Sequence, residues 1–280
     1  MKVAITGALG IVGSIVSAHL SAAGHEAIRI DIRRPPAGEP GASESSVADL
    51  TDYNAARSAL SGADAVVHLA AINNPRTAPE WQVHNTNVTS SYNVLSAAAE
   101  LGIRRVVQAS SVNAIGMAWS RQPRFDYLPV DLEHPSRTED GYSLSKQIQE
   151  LQADSLVRRH DSLSVVSLRL HAVLAHAADA QAGIDRFGLD WAVNGLFGYC
   201  THVSVATAIE QAILVDFRGH ERLWVVEPQT FSDEPTSELV RRYYSGVPLI
   251  RPLVGREALI DARRTREVLR WTPSTEGNSA

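Results

Sequence analysis

The chain carries a tyrosine and a lysine one helical turn apart, Tyr142 and Lys146 in YSLSK, and a serine, Ser111, that directly follows an apolar run. Residues four apart on a helix share a face. A tyrosine, whose ordinary pKa is about 10, is a poor base at neutral pH. A neighbouring ammonium favours the phenolate and lowers that value. A serine hydroxyl beside the pair can hold an oxygen that exchanges a proton with the phenol. Together the three form a proton-transfer device suited to a carbon that gains or loses a hydride.

A partner for that hydride is encoded at the N-terminus. Residues 2–6 form a short apolar run, Gly7, Gly10 and Gly13 follow, and a helical pattern runs to Leu20. Gly24 ends that pattern, and a second apolar strand, 27–30, closes on Asp31. Gly7 lets the chain turn out of the strand, Gly10 leaves room for a pyrophosphate, and Gly13 lets the helix pack closely on the sheet. The first helical amides and the helix dipole favour phosphate, and a carboxylate at Asp31 can accept bonds from both hydroxyls of an adenosine ribose. The spacing is GxxGxxG, weak alone but specific inside a strand, helix, strand and acid unit, and it points to a nicotinamide dinucleotide. The positive nicotinamide ring would add to the field favouring a Tyr142 phenolate. A nucleoside-triphosphate loop is excluded, because Ser14 rather than lysine follows Gly13. Arg33 and Arg34 could meet the 2′-phosphate of NADP, but Asp31 would repel it, so NAD is expected.

These residues need a frame. Thr51 predicts a cap for a helix ending at Leu60, and 65–70 (AVVHLA) reads as a buried strand followed by the polar loop 73–79. A long helix is predicted at 81–101, a strand at 104–109, a helix at 142–159 and a strand at 164–170. Residues 32–46 read as a surface loop, and 117–141, with Pro123, Pro129 and Pro135, as a long functional loop. Strand and helix alternate throughout residues 1–170, which demands a doubly wound parallel sheet with its cleft at the strand carboxyl ends. Beyond residue 175 the pattern loosens into helices near 205–215 and 235–244, a strand at 223–226 and a short helix at 261–269. The expected organisation is a dinucleotide-binding domain, 1–175, and a small, intimately packed substrate-binding lobe, 176–280.

Composition narrows the classes. The net charge is −5, which argues against a nucleic-acid binder. No apolar run reaches the roughly eighteen residues of a membrane span. The chain enters a strand at once, without room for a signal peptide, so a cytoplasmic location is expected. The single cysteine, Cys200, permits no disulfide framework. No metal is expected: HExxH and CxxC are missing, and His171 and His176 are poorly spaced as ligands.

TGALGIVG, Asp31, ADL at 48–50, HLAA at 68–71, Asn87, SSVNAIG at 110–116 and YSLSK together resemble an extended short-chain dehydrogenase/reductase, in the NAD-dependent epimerase/dehydratase group. The resemblance covers the first 175 residues closely and the rest loosely, and it implies a Rossmann sheet. It assigns the dinucleotide to Gly7, Gly10, Ile11, Val12, Gly13, Asp31, Ile32 and Arg33. Asp49 and Leu50 would flank adenine. Leu69, Ala70, Ala71, Asn87, Ala109, Tyr142, Lys146 and His171 would complete the cofactor site, with Asn87 as a structural or relay residue. Ser111, Tyr142 and Lys146 match the family's catalytic set.

Departures from the pattern shape the substrate expectation. VLAH at 173–176 stands where the family has a VxGP-like end, and the segment that would carry a nucleotide-sugar lid is short. A smaller ligand is implied: a free sugar, a sugar acid or a comparable polyol. SSVNAIG with a short C-terminal part is partly similar to uronate dehydrogenases. Candidate substrate contacts are Asn73, Asn74, Arg76, Ser111, Asn113, Tyr142, His171 and Arg186, the last as a bidentate partner for a carboxylate. A net dehydrogenase is the leading expectation, an epimerase or dehydratase that retains NAD the second, and a non-catalytic dinucleotide sensor the third. In similar proteins the two long helices pair with their copies about a two-fold axis, so a homodimer is expected. The pattern puts Val88, Tyr92, Leu95, Ala99, Leu144, Ile148 and Leu151 towards the sheet, and Val94, Ala98 and Leu156 towards a partner.

Overall fold

The computed structural model describes residues 1–35 and 45–274. Most of the expected surface loop 32–46 lies outside the described residues. A seven-stranded parallel sheet forms the centre, with order β3-β2-β1-β4-β5-β6-β9. Its strands are β1 (Lys2–Thr6), β2 (Glu26–Asp31), β3 (Ser45–Val47), β4 (Ala65–His68), β5 (Arg105–Ser111), β6 (Ser164–Leu170) and β9 (Gly219–Val225). A second pair, β7 (Val173–Leu174) with β8 (Cys200–Thr201), lies beyond the end of β6. Strand order reverses between β1 and β4, and that switch point opens a crevice at the carboxyl ends.

Helices cover both faces. On one side α1 (Ile11–Ala22) and α7 (His202–Leu214) bury Val16, Leu20, Val205 and Ile209 against the sheet. On the other, α2 (Tyr53–Leu60), α3 (Glu80–Glu100) and α4 (Gly141–Arg159) bury Leu60, Val94, Ala98 and Leu156. Residues after 175 supply both α7 and the edge strand β9, so the C-terminal part completes the same sheet. It also builds a third apolar cluster, around Trp224, Leu239 and Tyr244, with α8 (Thr236–Tyr243) against it. A last helix, α9 (Arg263–Leu269), closes the described chain. Among the described residues no helix is long and apolar enough to cross a membrane.

Several expectations are corrected. Asp52, not Thr51, caps α2, its carboxylate accepting the Ala55 amide at 3.0 Å. Thr51 instead donates to Asp49 through both amide and hydroxyl. Strand β9 begins at Gly219 rather than 223. Two short helices, α5 (Ala180–Phe187) and α6 (Leu189–Asn194), were not expected at all. The faces of α3 and α4 depart in part from the expectation: Leu95 is buried as expected, but Val94, Ala98 and Leu156 are buried too, whereas Tyr92, Leu144 and Leu151 are exposed, as is Trp81. Small residues explain this, since Ser90, Ser91, Ala97 and Ala98 let α3 approach its neighbours closely, which the larger side chains could not.

Beneath α4 the sheet carries charge. The Glu150 carboxylate accepts Arg169 Nε at 2.9 Å, Arg169 Nη2 at 2.8 Å and the Ser110 hydroxyl at 2.5 Å. The Arg169 guanidinium lies 4.7 Å from the centre of the Trp224 ring. Burial alone would push Glu150 up, but the bonds and charge of Arg169 outweigh it and hold the carboxyl below its ordinary value. Arg169→Ala should cost about 3–5 kcal/mol, because it leaves a buried carboxylate without its main partner. The exposed Arg57–Glu100 pair is the control, and Arg57→Ala should cost under about 1 kcal/mol. Urea unfolding of both variants checks the contrast; equal losses would contradict it.

Candidate active site

The glycine turn forms one wall of the crevice. A Cβ at Gly7 would lie 2.8 Å from the Ala70 backbone, and one at Gly13 would lie 2.1 Å from Gly7 O. These two glycines are therefore required by the approach of α1 and of the β4 turn. Gly10 caps α1 without a side-chain bond and leaves the first-turn amides facing the cleft. Thr6 holds the turn from below: its hydroxyl oxygen accepts the Leu69 and Ala70 amides, so its proton goes to His68 Nδ1 at 2.8 Å. Burial, with Lys146 nearby, pushes His68 down to about 3, which keeps it neutral as that acceptor.

Asp31 ends β2 at the far side of the same cleft. Its carboxylate accepts the Leu9 amide at 3.0 Å and the Arg33 amide at 3.0 Å, and it pairs with Arg33 Nε at 3.2 Å. Burial raises its pKa, but these bonds reverse the effect and hold it below the ordinary value. Uncapped amides, a glycine floor and a strand-end carboxylate fit pyrophosphate and ribose.

The expected catalytic set lies across the cleft. Lys146 Nζ donates to Ala109 O at 2.6 Å and to Gln149 Oε1 at 3.1 Å, and lies 5.9 Å from the centre of the Tyr142 ring. Ser111 Oγ accepts both Asn113 N at 3.1 Å and Asn113 Nδ2 at 3.2 Å. With both lone pairs taken, the Ser111 proton is left to donate, and Ser111 acts to draw the Tyr142 phenol down. Burial pushes Tyr142 up to about 12, and Ser111 pulls it the other way. The expected downward shift from Lys146 is not seen. Burial brings the lysine itself down to about 8, with Glu150 opposing, and its hydrogens point at Ala109 and Gln149.

The cleft has a volume of about 780 Å³. It is lined by Gly7, Gly10, Ile11, Val12, Gly13, Asp31, Ile32, Arg33, Asp49, Leu50, Leu69, Ala70, Ala71, Ala109 and His171, together with Ser111, Tyr142, Lys146, Asn73 and Asn113. Asn87 is not among the lining residues. Its side chain takes the Ile72 amide at 2.8 Å and donates to Ile72 O and to Ser145 Oγ, which ties the β4 loop to α4. Asn113 is committed: beyond its bonds to Ser111, its Oδ1 accepts the Trp119 amide at 3.1 Å. Asn74 turns into its own loop to accept the Arg76 amide, and Arg76 lies over the Trp119 and Phe187 rings. Arg186 is exposed on α5, against Phe187, and is not among the lining residues. Both His171 nitrogens are engaged, Nε2 donating to Gly195 O at 2.7 Å and Nδ1 accepting the Ala172 amide. Burial pushes this ring down to about 4 and keeps it neutral. Sequence reasoning missed Trp119 and Trp191, which wall the substrate end; no local pattern marks them. Among the described residues no cluster of three or more His, Cys, Asp or Glu could hold a metal.

With this geometry in place, comparison with known proteins identifies the class. The sequence profile of the NAD dependent epimerase/dehydratase family matches residues 3–186, and the chain belongs to that family. It is 34% identical over 176 residues to the L-arabinose 1-dehydrogenase (NAD(P)(+)) of Haloferax volcanii, covering 60% of this chain and 66% of that one. It is 27% identical over 169 residues to the uronate dehydrogenase of Pseudomonas syringae, covering 60% and 58%. It also matches an uncharacterised Mycobacterium tuberculosis protein at 34% identity over 131 residues, 47% of this chain, but spans only 14% of that protein's length. In fold it resembles a short-chain dehydrogenase/reductase superfamily protein of Agrobacterium tumefaciens crystallised with NAD: TM-score 0.73, 22% identity, 98% of this chain and 93% of that one.

Asp31→Ala should release Arg33 and narrow the preference for NAD over NADP by at least about tenfold, the weight of one lost charge-assisted bond. Titration of each cofactor against wild type and variant measures it. A wild type that already prefers NADP would refute this reading of Asp31.

Proposed function

We propose that this protein is a cytoplasmic NAD-dependent dehydrogenase acting on a secondary-alcohol or lactol carbon of a small sugar, sugar acid or similar polyol. The observation that carries the proposal is the Ser111–Tyr142–Lys146 set facing the glycine turn and Asp31 across one cleft. Family membership and the likeness to sugar dehydrogenases support it. Bound NAD would supply the hydride acceptor and, in its positive ring, a field that favours the phenolate. Ser111, fixed as a donor by Asn113, holds the reacting oxygen. Tyr142, as the phenolate, takes the alcohol proton and becomes the neutral phenol, and Lys146, held by Ala109 and Gln149, stabilises that phenolate before the transfer. Because burial holds the phenol high, oxidation should speed up as pH rises from neutrality. An epimerase would use the same side chains without releasing reduced cofactor. Growth of NADH absorbance with free sugars separates the two, and none with any sugar would defeat the dehydrogenase proposal.

Tyr142→Phe should reduce turnover by at least about a hundredfold, the loss of a general base, while NAD affinity stays within about threefold. Near wild-type turnover in that variant would remove Tyr142 from the mechanism.

The proposal includes a homodimer. Trp81 and Tyr92 on α3, and Leu144 and Leu151 on α4, leave an apolar stripe open on two adjacent helices. A second copy of the same face would cover it about a two-fold axis. Light scattering should return twice the 30.3 kDa of one chain, and Tyr92→Glu with Leu151→Glu should return a single chain. An active wild-type protein with the mass of one chain would exclude the dimer.

A further inference from the structure

The substrate end of the cleft is walled by aromatic rings held in place. Trp119 is fixed through its amide to Asn113 Oδ1, and its ring meets Phe187 edge to face at 5.6 Å. Trp191 stacks on Phe231 with centres 6.1 Å apart. A Cβ at Gly183 would lie 2.6 Å from the Trp191 ring, so this indole presses directly on the backbone of α5. Both rings are packed in place by these contacts and line the cleft that holds Tyr142 and Ser111.

Charge is distributed in a telling way. Among the described residues lining the cleft, the permanently basic side chains are Arg33 and Lys146. Arg33 belongs to the Asp31 end, with which it is paired. Lys146 is buried and directs hydrogens at Ala109 O and Gln149 Oε1. His171 is neutral with both nitrogens bonded to backbone. Neither Arg186 nor Arg76 is a lining residue, and Arg76 is exposed with its guanidinium held over the Trp119 and Phe187 rings. A carboxylate or phosphate placed beyond Tyr142 would lose hydration without gaining a cation, which opposes its binding. Hydroxyl groups meet a better match. The amide of Asn73 lines the cleft without a partner among the described residues, and the C–H face of a sugar ring suits an indole.

From this we infer that the substrate is an uncharged polyhydroxylated ring, an aldose or cyclic polyol, packed against Trp119 and Trp191. Uronates and sugar phosphates are disfavoured for want of a cation. The inference rests on the dehydrogenase reading above and narrows it. Calorimetric titration of protein saturated with NADH, which prevents turnover, tests it with two pairs: D-galactose against D-galacturonate, and D-glucose against D-glucuronate. Each pair differs in a hydroxymethyl group against a carboxylate. At least one neutral member should bind about tenfold or more tightly than its acid, and Trp119→Ala should weaken it about tenfold with the NADH affinity unchanged. Tighter binding of the acids would overturn the inference, and its loss on Arg76→Ala would identify Arg76 as the cation. Binding of neither member, or an unchanged Trp119→Ala, would also overturn it. Failure to bind NADH would instead overturn the dinucleotide reading on which it stands.

Discussion

One buried ammonium organises the catalytic side of this protein. Lys146 cannot enter the interior without partners, and it finds them in Ala109 O, at the end of β5, and in Gln149 on its own helix. One turn later Glu150 reaches Ser110, the next residue of the same strand. Two successive β5 residues thus grip two successive turns of α4. Tyr142, one turn before Lys146, has its place set by the same grip. Asp140 caps the helix start by accepting the Ser143 amide. Gly141 is needed there because a Cβ would meet the Glu80 backbone at 2.8 Å.

The grip continues beyond the active site. Gln149 donates to Gln108, Gln108 to Ser167, and Ser167 meets His220 of β9, which in turn meets Asp154 of α4. Arg222, also on β9, reaches Glu150. The C-terminal part of the chain therefore braces the catalytic helix through polar bonds under it. A buried network of this kind is stabilising only when its members are satisfied together. These bonds add to the backbone pairing of β9 with β6.

Much of the fold was legible because it is local. Apolar strands, glycine stops and the glycine–acid unit are written in short stretches, and β6 matches its expected range of 164–170. What was not legible depends on contacts distant in sequence. Arg169 inside SVVSLRL reads as an interruption, yet Glu150 and Trp224 make it part of the core. Part of each face of α3 and α4 was misassigned because an alanine-rich stripe has little hydrophobic contrast, and closeness of approach decided the matter. Tyr142 moved opposite to expectation because burial, which spacing on a helix does not report, dominates its environment.

The lid shows the same limit from the other side. Helices of eight and six residues carry too few turns for a period to register, so nothing local could show that Arg186 is not among the residues lining the cleft. What seats this lid is a contact no pattern contains. His171, at the end of β6, donates to Gly195 O, and a Cβ at Gly198 would lie 2.9 Å from its ring. Its Nδ1 accepts the Ala172 amide, a bond that only the neutral ring can make. Burial keeps it neutral down to a pH of about 4. The strand that runs beside Ser111 thus also carries the residue that holds the substrate wall in place.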